Sequence, residues 1–194
     1  VDFCVDILAP GFTLIPENFV LPASTNRRDY LGTDTMQVHG KSGSVGSVTV
    51  GGPPNRQVII YDKRAEVIKH HKLQWWKIWQ ANLERLIDQG QDVPVAHLDH
   101  TDRTVSQVWR VEFRAFKRLL KDRWDIRTWE DLFDRIGDLF RETGELIRYC
   151  DPAAGDTNRA RWPNHPLWEV ACAEINDDLE EMRAGVDPQV MKEV

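Results

Sequence analysis

The stretch Gly51-Gly-Pro-Pro-Asn-Arg-Gln-Val-Ile-Ile-Tyr-Asp-Lys63 decides how this chain begins to fold. Its first four residues favour a turn, and the Val-Ile-Ile-Tyr run has the β-branched and aromatic composition of a strand. Upstream, two β-prone segments, Met36–His39 and Ser44–Val50, flank a Gly-rich turn and predict a hairpin. Residues 1–9 are mostly apolar and β-prone and predict another strand, whereas residues 11–35 predict a loop. The chain therefore begins with a small antiparallel sheet.

Helical patterns dominate the chain after residue 63. Apolar residues recur at helical spacing over 64–88 and predict one long helix, after which Ser106–Arg114 predicts a strand inserted between helices. The last third predicts helices, with Thr128 and Asn164 as capping residues, over 116–123, 128–148 and 164–184. We therefore predict an α+β fold: an antiparallel sheet with long helices and a helical C-terminal third.

Length and composition limit the classes of protein. The 194 residues are enough for one domain, which we place at 1–150, with a C-terminal helical extension at 151–194. No apolar stretch is long enough to span a bilayer, so we expect no membrane association. Three cysteines without metal-ligand spacing predict reduced thiols in a cytoplasmic protein. The chain begins inside a strand-like segment without Met, and we expect a further segment before it.

Charge is distributed unevenly. The formal net charge of −6 disfavours a nucleic-acid partner, because phosphate neutralisation needs a basic surface. Residues 110–127 nevertheless hold seven Arg or Lys against three acids, whereas 174–181 hold five acids and no base. A basic surface on an acidic chain therefore remains compatible with the sequence.

Carboxylates at strand spacing are the candidate metal ligands. Asp2 and Asp6 are four residues apart, so both point to one face of a strand, and hard cations such as Mg²⁺ or Mn²⁺ prefer such oxygen ligands. Glu112 lies between Arg110 and Arg114, which share its face. The alternative interpretation is a surface ladder of ion pairs with no catalytic role.

Tyr61-Asp62-Lys63 closes the strand predicted over 57–61. Tyrosine is a weak nucleophile unless a cation or a base activates it, and Lys63 is close enough in sequence to supply the charge. The alternative is an amphipathic tyrosine at a sheet edge. Other candidates have a simpler structural explanation: His97-Leu-Asp-His100 as a solvated loop, and Trp75, Trp76 and Trp79 as core residues at helical spacing.

The order of these motifs resembles the replication initiation factor family, which includes the rolling-circle initiators of plasmids and phages and the related relaxases of integrative elements. The resemblance is carried by Val1–Asp6, Thr49–Lys63 and Trp109–Arg114. It implies an endonuclease that nicks and rejoins a single-stranded or hairpin DNA origin through a 5′-phosphotyrosyl intermediate. A host helicase and a second copy of the chain are further partners that the resemblance allows.

The resemblance also implies a role for each matching residue. A divalent metal, Mg²⁺ or Mn²⁺, would polarise the scissile phosphate, and Tyr61 would attack it with Lys63 stabilising the charge. The implied metal ligands are Asp2, Asp6 and Glu112, and the implied DNA contacts are Arg56, Arg110 and Arg114.

Two alternatives stay open. The family tyrosine can fall at the position of Val111, which would leave a DNA-binding relative that does not cut. Alternatively, the chain is an unrelated α+β interaction module whose acidic C-terminal helix docks a protein partner.

Overall fold

The computed structural model describes residues 1–22, 29–33 and 35–185. Within these residues all strand pairs are antiparallel, in a five-stranded sheet with the order β1-β6-β5-β4-β3 and a two-stranded sheet of β2 and β7. The strands are β1 (Asp2–Leu8), β2 (Phe19–Val20), β3 (Met36–Lys41), β4 (Ser44–Gly51), β5 (Arg56–Asp62), β6 (Val108–Ala115) and β7 (Arg148–Tyr149). The predicted α+β class is confirmed, and β6 is the inserted strand that the sequence predicted.

The α-helices that accompany the sheet after β5 are α1 (Lys63–Lys69), α2 (Gln74–Asp88), α3 (Trp129–Leu146) and α4 (Pro166–Asp178). The single helix predicted over 64–88 is wrong, because it breaks between α1 and α2. There the backbone of His71 adopts a left-handed conformation with φ of 52°, and Lys72 N–H donates to the Val67 carbonyl. Among the described residues, no helix is both long and apolar enough to cross a membrane.

Side-chain caps fix the start of the two C-terminal helices. The predicted cap of α3 is confirmed, since Thr128 Oγ1 accepts from Asp131 N and Asp131 Oδ2 accepts from Thr128 N. The predicted cap of α4 is wrong by one residue: His165 Nδ1 accepts from Leu167 N at 3.0 Å, while Asn164 binds Arg148. The helix predicted over 116–123 is reduced to a π-helical turn, Leu119–Arg123, and α4 ends before the predicted Ala184.

One face of the five-stranded sheet carries the main core. Val58, Val111 and Phe113 from the sheet are fully buried, in the same apolar cluster as Leu139 of α3 and Trp168 of α4. The cluster is therefore continuous across residue 150, where we predicted a domain boundary. That boundary stays a prediction, and residues 186–194 of the predicted extension lie outside the described residues.

Candidate functional site

The other face of the sheet, here called the polar face, collects the charged residues of β1, β5 and β6. Alternate residues of a strand point to opposite faces, so the register decides which side chains meet. In β1 and β6, Asp6 pairs with Arg110, Cys4 with Glu112, and Asp2 with Arg114. On the other side of β6, Arg110 pairs with Tyr61 of β5, and Lys63 follows directly at the start of α1. All the residues that the sequence nominated, except Arg56, are therefore gathered on or beside this face.

Arg110 and Asp6 form a largely buried ion pair on the polar face. Arg110 Nε and Nη2 donate to the two oxygens of Asp6 at 2.5 and 2.8 Å, and Trp79 Nε1 donates to Asp6 Oδ2 at 2.9 Å. Burial by itself would lower the pKa of Arg110, but the hydrogen bonds and charge of Asp6 raise it overall. The guanidinium also lies 4.7 Å from the ring centre of Trp75. Arg110 is thus a fixed positive charge beside Tyr61.

Glu112 and Arg114 form a second, more open pair. Arg114 Nε and Nη2 contact Glu112 Oε1 at 2.6 and 2.5 Å, and Arg114 Nη1 donates to Gln57 Oε1 at 3.3 Å. Asp2 is 3.9 Å from Arg114 Nε. The Arg114 side chain is 36% exposed against 12% for Arg110, so the accessible end of the polar face is the Arg114 end.

The three predicted metal ligands do not form one site. Asp2 and Asp6 are four residues apart on one strand, which separates their Cα atoms by about 13 Å. Asp6 is fully engaged by Arg110 and Trp79, and Glu112 is engaged by Arg114. Among the described residues, no group of three or more His, Cys, Asp or Glu side chains is arranged to hold a metal ion. The predicted ligand set therefore does not fit a metal in this arrangement, and the cation itself stays a prediction.

Tyr61 is half-buried on the polar face, next to Arg110. Desolvation by burial raises its pKa to about 12, and the positive charge of Arg110 opposes the shift while Glu112 adds to it. The hydroxyl is therefore protonated at neutral pH, and Arg110 is the group that stabilises its ionised form. The alternative nucleophile position, Val111, is 0% exposed and belongs to the apolar core. A tyrosine there would point away from the charged residues.

Lys63 is the first residue of α1 and lies under the polar face, with only 4% of its side chain exposed. Its Nζ donates to Glu66 Oε2 at 2.6 Å and lies 5.7 Å from the ring centre of Tyr61. Glu66 also accepts from Lys72 at 2.5 Å. Burial by itself would raise the pKa of Glu66, but the hydrogen bonds of both lysines lower it overall. Lys63 is therefore an enclosed charge near the tyrosine ring, paired with Glu66, and is not an open phosphate contact.

Arg56 is not available to DNA, contrary to the sequence-based prediction. Its side chain is fully buried, donating to Glu142 Oε2 at 2.7 Å and Thr143 Oγ1 at 3.3 Å, and Arg123 contacts the same carboxylate. Burial lowers the pKa of Arg56, and the charge of Glu142 opposes that shift. The residue lies directly after a turn, where sequence position alone does not reveal whether an arginine faces solvent or a helix.

The sequence did not reveal that two tryptophans contact the charged residues of the polar face. Trp79 was predicted to be a core residue and is 9% exposed, yet its indole N–H binds Asp6. Trp75 is half-buried, and the centre of its ring lies 5.0 Å from Lys63 Nζ and 4.7 Å from the Arg110 guanidinium. The signal was present in the helical spacing of the tryptophans, but the spacing does not show which strand they cover. The predicted His97–His100 loop is confirmed, since it forms neither helix nor strand.

Cys4 occupies the centre of the charged residues, opposite Glu112. Desolvation raises the pKa of its thiol to about 11, and the negative charge of Glu112 adds to the shift. At neutral pH the thiol is protonated, and it is neither an active nucleophile nor a ready metal ligand.

Comparison with solved structures finds a partial similarity to the rolling circle replication initiator protein from Geobacillus stearothermophilus. The two chains are 14% identical, with a TM-score of 0.41, and the similarity covers 91% of this chain. It covers 55% of the initiator, so this chain spans about half the length of that protein. No protein-family profile matches this chain, and no curated protein matches it. At this identity and TM-score the likeness carries no functional assignment.

Proposed function

We propose that the chain is a rolling-circle type initiator that nicks and rejoins one strand of a DNA origin through Tyr61. The observation that carries the proposal is the register of three strands. It gathers a tyrosine, two arginines and three carboxylates on one face of a sheet whose other face is core. The proposed substrate is single-stranded or hairpin DNA, because a splayed phosphate is open to in-line attack.

Each residue has a defined role in the proposed reaction. Tyr61 loses its proton to water, and its Oη attacks the scissile phosphorus. The bond from phosphorus to the 3′ oxygen breaks, which leaves a 5′-phosphotyrosyl adduct and a 3′ alkoxide that takes a proton from water. Joining is the reverse reaction. The fixed guanidinium of Arg110 stabilises the phenolate. The exposed Arg114 lies four residues further along β6, about 13 Å away, and binds another phosphate of the same strand.

A covalent-adduct assay tests the proposal. The protein is mixed with single-stranded and hairpin oligonucleotides in Mn²⁺, and a denaturing gel is compared for wild type, Tyr61→Phe and Tyr30→Phe. We expect an upshifted band in wild type and Tyr30→Phe but none in Tyr61→Phe, because phenylalanine lacks the attacking oxygen. Tyr30 is the matched control, since it is also half-buried but packs under Arg123, away from the polar face.

The outcomes of this assay separate the candidate functions. A band that persists in Tyr61→Phe would keep the nicking activity and remove Tyr61 as nucleophile. Absence of any band from wild type would favour a DNA-binding relative that does not cut. The raised pKa of Tyr61 is the specific observation on the side of that second function.

A further inference from the structure

Exposed basic residues lie at the end of α1, in the connection to α2 and in the first turn of α2. Lys69, His70, His71 and Lys77 are exposed, and the Lys72 side chain is 43% exposed. These five residues are here called the basic turn. His71, with its left-handed backbone conformation, lies between the end of α1 and the start of α2.

The local charge of this segment is opposite to that of the whole chain. Residues 63–77 hold five Lys or Arg and one acid, Glu66, in a protein with a formal net charge of −6. Glu66 is itself neutralised by Lys63 and Lys72. The basic turn therefore has no acid left to compensate Lys69 and Lys77 within its own segment. A concentrated positive patch on an acidic protein favours a polyanionic partner.

A chain of contacts joins the basic turn to Tyr61. Lys72 binds Glu66, Glu66 binds Lys63, and the Lys63 ammonium lies over the rings of Tyr61 and Trp75. These contacts are internal, since the Lys63 side chain is only 4% exposed, and they place the basic turn close to Tyr61.

Apolar side chains flank the same surface. Ile68, Leu73 and Ile78 are 40%, 61% and 53% exposed. Unpaired bases offer apolar faces for such side chains, whereas a duplex keeps its bases stacked inside. The combination of lysines with exposed apolar residues favours a single strand over a duplex.

We infer that the basic turn is a binding surface for the phosphodiester backbone of single-stranded DNA. It holds the strand beyond the scissile phosphate and leads it to the polar face. DNA as the partner follows from the proposed function, and the surface adds where and how the strand is held. Lys69 and Lys77 contact phosphates, while Leu73 and Ile78 contact bases.

Salt-dependent binding tests the surface. Fluorescence anisotropy measures the Kd for a labelled mixed-sequence single strand at a series of NaCl concentrations, without added metal. In the Lys69→Gln/Lys77→Gln variant we expect the affinity to fall about tenfold. The plot of the logarithm of the association constant against the logarithm of the salt concentration should become less steep by about 1.4, which is about 0.7 for each lost phosphate contact. The matched control is Lys117→Gln/Lys121→Gln, which removes two exposed lysines beyond the opposite end of β6 and gives the same net charge.

Four results would overturn the inference. The first two are an unchanged slope in the basic-turn variant and an equal loss of affinity in the control variant. The third is equal affinity of the wild type for a duplex of the same length. The fourth is a basic-turn variant that binds phosphatidylserine–phosphatidylcholine vesicles less tightly than wild type but binds single-stranded DNA equally well. Circular dichroism of both variants checks that they are folded. The proposed function can fail separately, since absence of a Tyr61 adduct leaves the slope measurement unaffected. If wild type forms the adduct but the salt slope of the basic-turn variant is unchanged, the proposed function stands and only the proposed binding surface is wrong.

Discussion

The two faces of the five-stranded sheet are made by alternate residues of the same strands, yet they differ in burial and in the contacts that their side chains make. On β6, Phe113 is fully buried and packs against Phe140 and Trp168, with ring centres 6.3 and 5.4 Å apart. Its neighbour Arg114 is 36% exposed and binds other polar side chains. The difference shows that stability is concentrated on one face, which leaves the residues of the other face free to serve binding and chemistry.

Arg56 is the exception to this division. It lies on the edge of the buried face as a fully enclosed charge, and Glu142 of α3 is its carboxylate partner. An enclosed ion pair ties the helix to the sheet, but it contributes little net stability because both charges are desolvated.

The largest expected effect is on the buried face. Phe113→Ala should lower the free energy of unfolding by about 3–5 kcal/mol, because it removes a ring from a closely packed core and leaves a cavity. Urea unfolding followed by tryptophan fluorescence measures the change. The matched control is Arg114→Ala, one residue along the same strand, for which we expect less than about 1 kcal/mol. Equal losses in the two variants would contradict the division between the faces.

A somewhat smaller loss is expected from the enclosed ion pair. Glu142→Gln should cost about 3 kcal/mol of unfolding free energy, because it leaves Arg56 buried without a compensating charge. The double variant Arg56→Met/Glu142→Gln should recover much of the loss, since the uncompensated charge is gone. If the single and double variants unfold at the same urea concentration, Arg56 does not depend on Glu142 for its stability.

The smallest expected effect is the pH dependence of the rate of adduct formation at the polar face. Because the pKa of Tyr61 is raised to about 12, the reactive phenolate is scarce below that pH and increases as pH rises. The rate of adduct formation should therefore increase about tenfold per pH unit, or about a hundredfold between pH 7 and 9. Single-turnover rates from quenched gels measure the profile. A plateau below pH 9 would show that bound DNA lowers the pKa or that another group attacks.

Much of the fold could be predicted from local signals. The alternation around Glu112 placed Arg110 and Arg114 on one side of a strand, and Thr128 with Asp131 marked the start of α3. Such signals depend on neighbours within four residues, so the sequence displays them directly. The break at His71 was missed because a left-handed residue without glycine leaves little trace in the hydrophobic pattern.

The candidate site was only partly predictable. The sequence nominated Asp6, Tyr61 and Arg110, but it did not show that Arg110 would be held by Asp6 and the indole of Trp79. It also nominated Arg56, which the fold encloses. In each case the outcome depends on a residue far away in the chain, and a contact across many residues has no periodic signature.

The amino-acid sequence by itself determined the α+β class, the strand that carries Tyr61 and the two-sided character of β6, because strand period and turn chemistry are local properties. The tertiary structure alone decided which charges are paired, which arginine is enclosed and which carboxylates lie too far apart to share an ion. Those outcomes follow from the strand register and from the packing of α2 and α3 on the sheet. Register and packing arise from long-range contacts, and only the folded chain brings them together.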